Sequence, residues 1–236
     1  MDNLKVAVYT GTKNLYEHMI PAVKSLIANS DVDKIYLLIE DDEFPCKLPD
    51  IVETKNVSGQ TYIKPDNPNA RSRFTYMAMI RTAFTKIFPD LDKILSLDVD
   101  TIAIKDVSAV WDLPIDGCYF SAVLGNGGVG WNAGCMLQNL KMLRETGMDN
   151  FLINKLNTEE YKFLDQDVYN NYCDVNHVYN MPPSYNVNEY CLPTDDPKII
   201  HYAGQLTWVK EPEYLYYKIL SWEEVIKSWE QKKGLV

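Results

Sequence analysis

The sequence predicts one α/β domain with a mostly parallel central sheet flanked by helices. Three observations lead there: a strand-helix-strand opening within the first 40 residues, strands that read as short unbroken apolar runs, and a length of 236 residues with no internal repeat or linker.

Residues 6–10 (VAVYT) form the first strand, a helix that Pro21 can open follows, and residues 35–40 (IYLLIE) form the second strand. Residues 64–69 (KPDNPN) make an irregular loop. From 74 to 88, Met77, Ile80, Phe84 and Ile87 recur every three or four residues and mark a helix that Pro89 stops. Residues 94–97 (ILSL) are a buried strand that runs into Asp98, Val99 and Asp100. Residues 119–124 read as a strand before a glycine-rich loop. The run 135–144 fits a strand or a helix equally well. Asp165 suits the N-cap of a helix. Residues 198–202 read as a last short strand, and 214–233 as one or two helices rich in Tyr and Trp.

Composition narrows the function. The formal net charge is -10 and no basic cluster interrupts it, so nucleic acid and anionic membranes are repelled. An acidic protein binds a phosphorylated molecule only where a metal ion or a few placed cations supply positive charge. The five cysteines are scattered and form no CxxC pair, which reads as reduced, mostly buried thiols. The apolar run at 6–10 is too short for a signal peptide, and no segment reaches 18 apolar residues. A cytoplasmic protein is expected, with at most weak peripheral membrane contact through its aromatic C-terminal segment.

Asp98 and Asp100 stand where a buried strand ends, at the edge of a parallel sheet where open α/β folds bind ligands. Paired hard oxygens suit Mg²⁺ or Mn²⁺ bridging to phosphates. An Asp-x-Asp triplet alone also suits a polar turn. Its context is more specific: KILSLDVDTIAI, WNAGCMLQNLKMLR (131–144), LDQDVYN (164–170) and HYAG (201–204) occur in that order. In these four blocks the chain resembles glycosyltransferase family 8, the retaining enzymes that include bacterial lipooligosaccharide galactosyltransferases and glycogenin.

The resemblance implies a GT-A fold, a UDP-sugar donor carrying glucose or galactose, and a divalent cation, Mn²⁺ or alternatively Mg²⁺, held by Asp98, Asp100 and His201. It implies that Arg81 contacts the donor, with Arg71 and Arg73 as competitors, and that Val99 lies beside the donor between its aspartates. Asn132, Ala133 and Gly134 form the sugar-side loop, joined by Gly204. Asp165 binds sugar hydroxyls and Gln166 lies near the anomeric carbon. Thr10, Gly11, Thr12 and Asn14 reach the nucleotide. Where the family stacks a tyrosine on the base, this chain aligns Leu15, with Tyr16 one place later. Where the family has a lysine that neutralises the departing diphosphate, it has Thr207, and Lys210 is the substitute at hand. By the same resemblance residues 1–105 form a nucleotide-binding half, 106–210 a sugar and acceptor half, and 211–236 C-terminal helices. The acceptor stays open among a glycan, a lipid-linked sugar, a protein side chain and a small molecule.

Two rival readings have sequence signatures. A nucleotidyltransferase would carry a glycine-rich, lysine-bearing phosphate loop near the N-terminus, which is absent. A non-catalytic nucleotide or sugar binder is conceivable because of Thr207. The glycines at 125, 127 and 130 satisfy GxGxxG but lead into Trp131 rather than open a helix at a first βα turn, so they are read as an acceptor-side loop.

Overall fold

The computed structural model describes residues 4–72, 74–205 and 207–235, so Arg73 lies outside the described residues. Strand β1 (Val6–Thr10), helix α1 (Tyr16–Asn29) and strand β2 (Lys34–Ile39) make the expected βαβ unit, with β1 and β2 parallel. Helix α1 begins five residues before Pro21, which therefore sits inside it rather than opening it. The buried face of Met19, Val23, Leu26 and Ile27 outweighs the one backbone hydrogen bond that the proline removes.

Strand β3 (Val52–Asn56) pairs with β2 at the sheet edge; its sequence, VETKN, carries no apolar run. The helix expected over 74–88 is broken in three: α2 (Tyr76–Met79), a 3₁₀ turn at Ile80–Ala83 and α3 (Phe84–Ile87). Arg81 sits in the tightened middle, a winding often found at functional positions. Strands β4 (Lys93–Leu97), β5 (Thr101–Ala103), β6 (Phe120–Leu124) and β7 (Trp131–Asn139) follow, then helix α4 (Leu140–Thr146). The ambiguous run 135–144 is thus strand and then helix. Asn139 divides them, its side chain accepting the Met142 N–H to cap α4.

The chain continues through α5 (Met148–Thr158), α6 (Asp165–Tyr172), β8 (Val178–Asn180), β9 (Ile199–His201), α7 (Pro212–Ile219) and α8 (Trp222–Lys233). The C-terminal segment is two helices, with Ser221 and Glu224 forming a reciprocal capping box at the second. Asp165 is the first residue of α6 and not its cap, which is Leu164.

The main sheet has the order β3-β2-β1-β4-β7-β6-β8. It is parallel except for β7, which runs against both β4 and β6. Alternate strand residues sort to its two faces. Ala7 and Tyr9 pack with α1 and Val225 of α8, whereas Val6 and Val8 pack with Phe84, Leu143, Leu152 and Val168 from α3 to α6. Strands β5 and β9 form a separate antiparallel ladder in which Thr101 faces His201. Three cysteines are buried, Cys118 is partly buried and Cys46 is exposed; all five are free thiols. No helix among the described residues is long and apolar enough to cross a membrane.

Candidate active site

Strand β4 carries the aspartates to the sheet edge. The Asp98 N–H donates to Gly134 O at 2.9 Å, extending the pairing with β7 by one residue, and the Thr101 hydroxyl and N–H both donate to Asp98 O, turning the chain into β5. The ladder of β5 with β9 then returns His201 over the turn. Its Nε2 lies 3.4 Å from Asp100 Oδ1 and 3.6 Å from Asp98 Oδ2. Gly134 makes room for the ring, since a Cβ there would sit 2.0 Å from His201 Cε1. The other ring nitrogen, Nδ1, is 2.8 Å from Asn186 Oδ1.

The opposite side of Asp98 belongs to Arg81. Its guanidinium donates from Nη1 to Asp98 Oδ1 at 2.7 Å and to Ala133 O at 2.8 Å, and from Nη2 to Asp165 Oδ1 at 3.3 Å; Nε lies 2.9 Å from Asp165 Oδ2. One fork therefore ties the end of β4, strand β7 and the start of α6, a task that a point-charged lysine cannot repeat. Asp165 is presented by Leu164, whose φ of 48° is the single left-handed value among the described non-glycine residues. Such strain at a site marks a backbone held by its surroundings. Gln166 accepts the Ala133 N–H at 3.1 Å through Oε1.

Burial and charge shape the titrations. Burial pushes the Asp165 carboxyl up to about 6, against the pull of Arg81. For Asp100 burial also acts upward, but the facing His201 overrides it and holds the carboxyl below its ordinary value. For His201 burial acts downward, and Asp100 overrides it and raises the imidazole. Arg81 pairs with Asp98 and Asp165 while Asp100 faces His201, so carboxylates outnumber the one guanidinium and the site is suited to a cation.

These groups open into a cavity of about 670 Å³. Thr10, Gly11, Thr12 and Asn14 line it from the loop after β1, and Arg81, Asp98, Val99 and Asp100 from its floor. Asn132, Ala133 and Gly134 come from β7, Asp165 and Gln166 from α6, and His201 and Gly204 from β9 and the turn beyond it. Two expected residues are elsewhere. Tyr16 is buried in the core with its hydroxyl donating to Asp41 Oδ2 at 3.0 Å, and Leu15 lines the cavity instead. Lys210 is exposed at the end of the 3₁₀ turn Trp208–Lys210, of which only Trp208 reaches the cavity. The sequence reading missed the aromatic rim of Phe74, Phe163, Tyr190 and Trp208, because isolated aromatics in loops show no periodicity. It also missed Asn186, which lies in an irregular segment.

The donor set fits a divalent ion. One atom each of Asp98, Asp100 and His201 lies within 4.8 Å of the others. Carboxylate oxygens with an imidazole nitrogen suit a divalent cation such as Mn²⁺, which these three residues would hold.

Comparison with known proteins finds glycosyltransferases. Glycosyltransferase GlyE of Streptococcus pneumoniae serotype 4 (strain ATCC BAA-334 / TIGR4) is 25% identical over 98% of this chain and 65% of its own length. Glycosyltransferase GlyD of the same strain is 23% identical over 96% of this chain and 31% of its own length. The chain thus spans just under two thirds of one curated relative and about a third of the other. The crystal structure of GlyE matches with a TM-score of 0.73 at 23% identity, covering 98% of this chain and 64% of that one. The galactosyltransferase LgtC, solved with donor and acceptor sugar analogs, matches with a TM-score of 0.64 at 15% identity, covering 94% of this chain and 99% of that one. The fold shared with these structures is GT-A. The profile of Glycosyl transferase family 8 matches residues 6–208, a span that includes every described residue lining the cavity, and the chain belongs to that family.

Proposed function

We propose that the chain transfers a hexose, glucose or galactose, from a UDP-sugar to an acceptor hydroxyl, with retention at the anomeric carbon and with dependence on Mn²⁺ or Mg²⁺. The observation that carries this reading is the convergence of Asp98, Asp100 and His201 on one point beside Arg81 and Asp165 in a single cavity. The acceptor is a glycan, a lipid-linked sugar, a protein side chain or a small molecule, and the cytoplasm is the compartment in which UDP-sugars would meet it.

Asp98, Asp100 and His201 would hold the ion, which when bound supplies positive charge to the donor diphosphate and its leaving oxygen. Residues 1–105 form the nucleotide half, where Thr10, Gly11, Thr12, Asn14 and Leu15 surround the base and ribose. Residues 106–210 form the sugar and acceptor half. Arg81 fixes Asp98 by one oxygen, leaving Oδ2 for the ion, and holds Asp165 ready to accept hydrogen bonds from sugar hydroxyls. Gln166, anchored through Oε1 to the Ala133 N–H, keeps its amide N–H groups for the sugar near the anomeric carbon. Preorganised charge of this kind contributes most of the rate in a reaction whose developing charge sits on the leaving phosphate. The acceptor hydroxyl then attacks from the face the diphosphate leaves.

A panel of nucleotide sugars tested for Mn²⁺-dependent hydrolysis checks the reading and names the donor. Release of UDP from UDP-glucose or UDP-galactose is expected. Consumption of a nucleoside triphosphate with release of pyrophosphate would overturn it, as would UDP binding with no turnover of any UDP-sugar.

A further inference from the structure

Asn186 is fully buried, lies outside the cavity lining, and belongs to no regular element. Its amide joins two groups that the proposed reaction uses separately. Nδ2 donates to Asn132 Oδ1 at 2.8 Å, and Oδ1 lies 2.8 Å from His201 Nδ1 and accepts from Asn188 Nδ2 at 2.9 Å.

The direction of every bond in this chain follows from one backbone group. The Gly134 N–H donates to Asn132 Oδ1 at 3.0 Å. A backbone N–H can only donate, so that atom of Asn132 is its carbonyl oxygen. The Asn186 atom bonded to the same oxygen must then be the amide nitrogen, and the opposite Asn186 atom must be the carbonyl oxygen. That oxygen can only accept, so His201 Nδ1 carries a proton. When the ring is neutral, the Nε2 lone pair is left facing Asp98 and Asp100, and the amide nitrogen of Asn132, a cavity-lining residue, is left as its donor.

We infer that Asn186 is a positioning residue that sets the His201 tautomer for metal binding and, through the same amide, orients Asn132 toward the donor sugar. This rests on the proposed donor site for its purpose, but the tautomer itself is a property of the protein alone. A buried amide held at three points does this better than water, because it can neither rotate nor leave.

The test begins with nitrogen-15 NMR of the His201 ring in the metal-free protein, at a pH where the imidazole is neutral. The wild type should show the proton on Nδ1; a ring protonated on Nε2 overturns the inference whatever the enzyme's activity. Three variants follow, each checked for folding by circular dichroism. Asn186→Leu should lose the tautomer preference and weaken Mn²⁺ binding, read by electron paramagnetic resonance without any nucleotide, by about 10–100-fold. Asn186→Asp keeps the acceptor for His201 and loses the donor to Asn132. It should hold Mn²⁺ within about threefold of wild type while raising KM for the UDP-sugar about tenfold. Asn132→Ala, should the leucine variant not fold, should leave Mn²⁺ binding intact and raise the same KM. Equal loss of Mn²⁺ binding in Asn186→Asp and Asn186→Leu would overturn the inference. If wild type binds no Mn²⁺ yet shows Nδ1–H, the metal reading fails and the tautomer assignment stands.

Discussion

Thr101 and His201 face one another across the β5–β9 ladder, and that pairing brings a histidine one hundred positions downstream to the two aspartates. The register decides the site. A slip of one residue would turn His201 to the other face of the ladder.

Gly134 is where this arrangement is tightest. Gly134→Ala places a methyl group 2.0 Å from His201 Cε1 and 2.6 Å from Nδ1, with ring atoms on a buried histidine that cannot yield. The expected result is a protein that still folds but binds Mn²⁺ about 10–100-fold more weakly, the size of effect seen when a ligand's support is lost. Calorimetric titration with Mn²⁺ checks it; unchanged affinity would show that His201 is not a ligand.

Arg81 is a structural tie as well as a proposed donor contact. Replacing it with Met leaves Asp165 buried with no cationic partner, which should destabilise the fold by about 3–5 kcal/mol. Arg81→Lys keeps the charge but loses the fork, so it should recover part of the stability and little of the activity. Urea unfolding separates these outcomes from the kinetics.

Asp149 anchors α5 to α3 through Lys86 Nζ at 2.7 Å and the Thr85 hydroxyl at 2.8 Å. Burial acts to raise this carboxyl, but Lys86 and Thr85 override it and hold it below the ordinary carboxylate value. A carboxyl depressed in the fold contributes stability that is present above its unfolded pKa and lost as pH falls through its folded pKa. Melting temperature should therefore fall with pH below about 4. Asp149→Asn should lower stability at pH 7 and narrow the gap to wild type in acid. A gap that widened in acid would contradict the assignment.

Much of this was readable from residue order. The run ILSL ending at Asp98 reads as a buried strand because central parallel strands are apolar on both faces, and the structure has β4 there. Strand β3 was not legible, because an edge strand needs only one neighbour and tolerates the polar sequence VETKN. The break at Ile80–Ala83 was hidden for another reason: a 3₁₀ turn keeps nearly the same spacing of buried side chains as the α-helix around it. Tyr16 and Leu15 are adjacent, so alignment alone could not tell which faced the cavity; the hydroxyl's partners at Asp41 and Glu40 draw Tyr16 inward. Asn186 carries no pattern at all, and only its hydrogen bonds reveal it.

Asp100 tests the central claim most cleanly, because Asp98 also pairs with Arg81 whereas Asp100 Oδ1 faces His201. The measurement is Mn²⁺-dependent release of UDP from UDP-glucose and UDP-galactose by wild type and Asp100→Asn at matched folded concentration. Wild type should release UDP from one of the two sugars, and the variant should lose at least about 100-fold of that rate. An Asp100→Asn protein that releases UDP as fast as wild type, with the same dependence on Mn²⁺, would contradict the account.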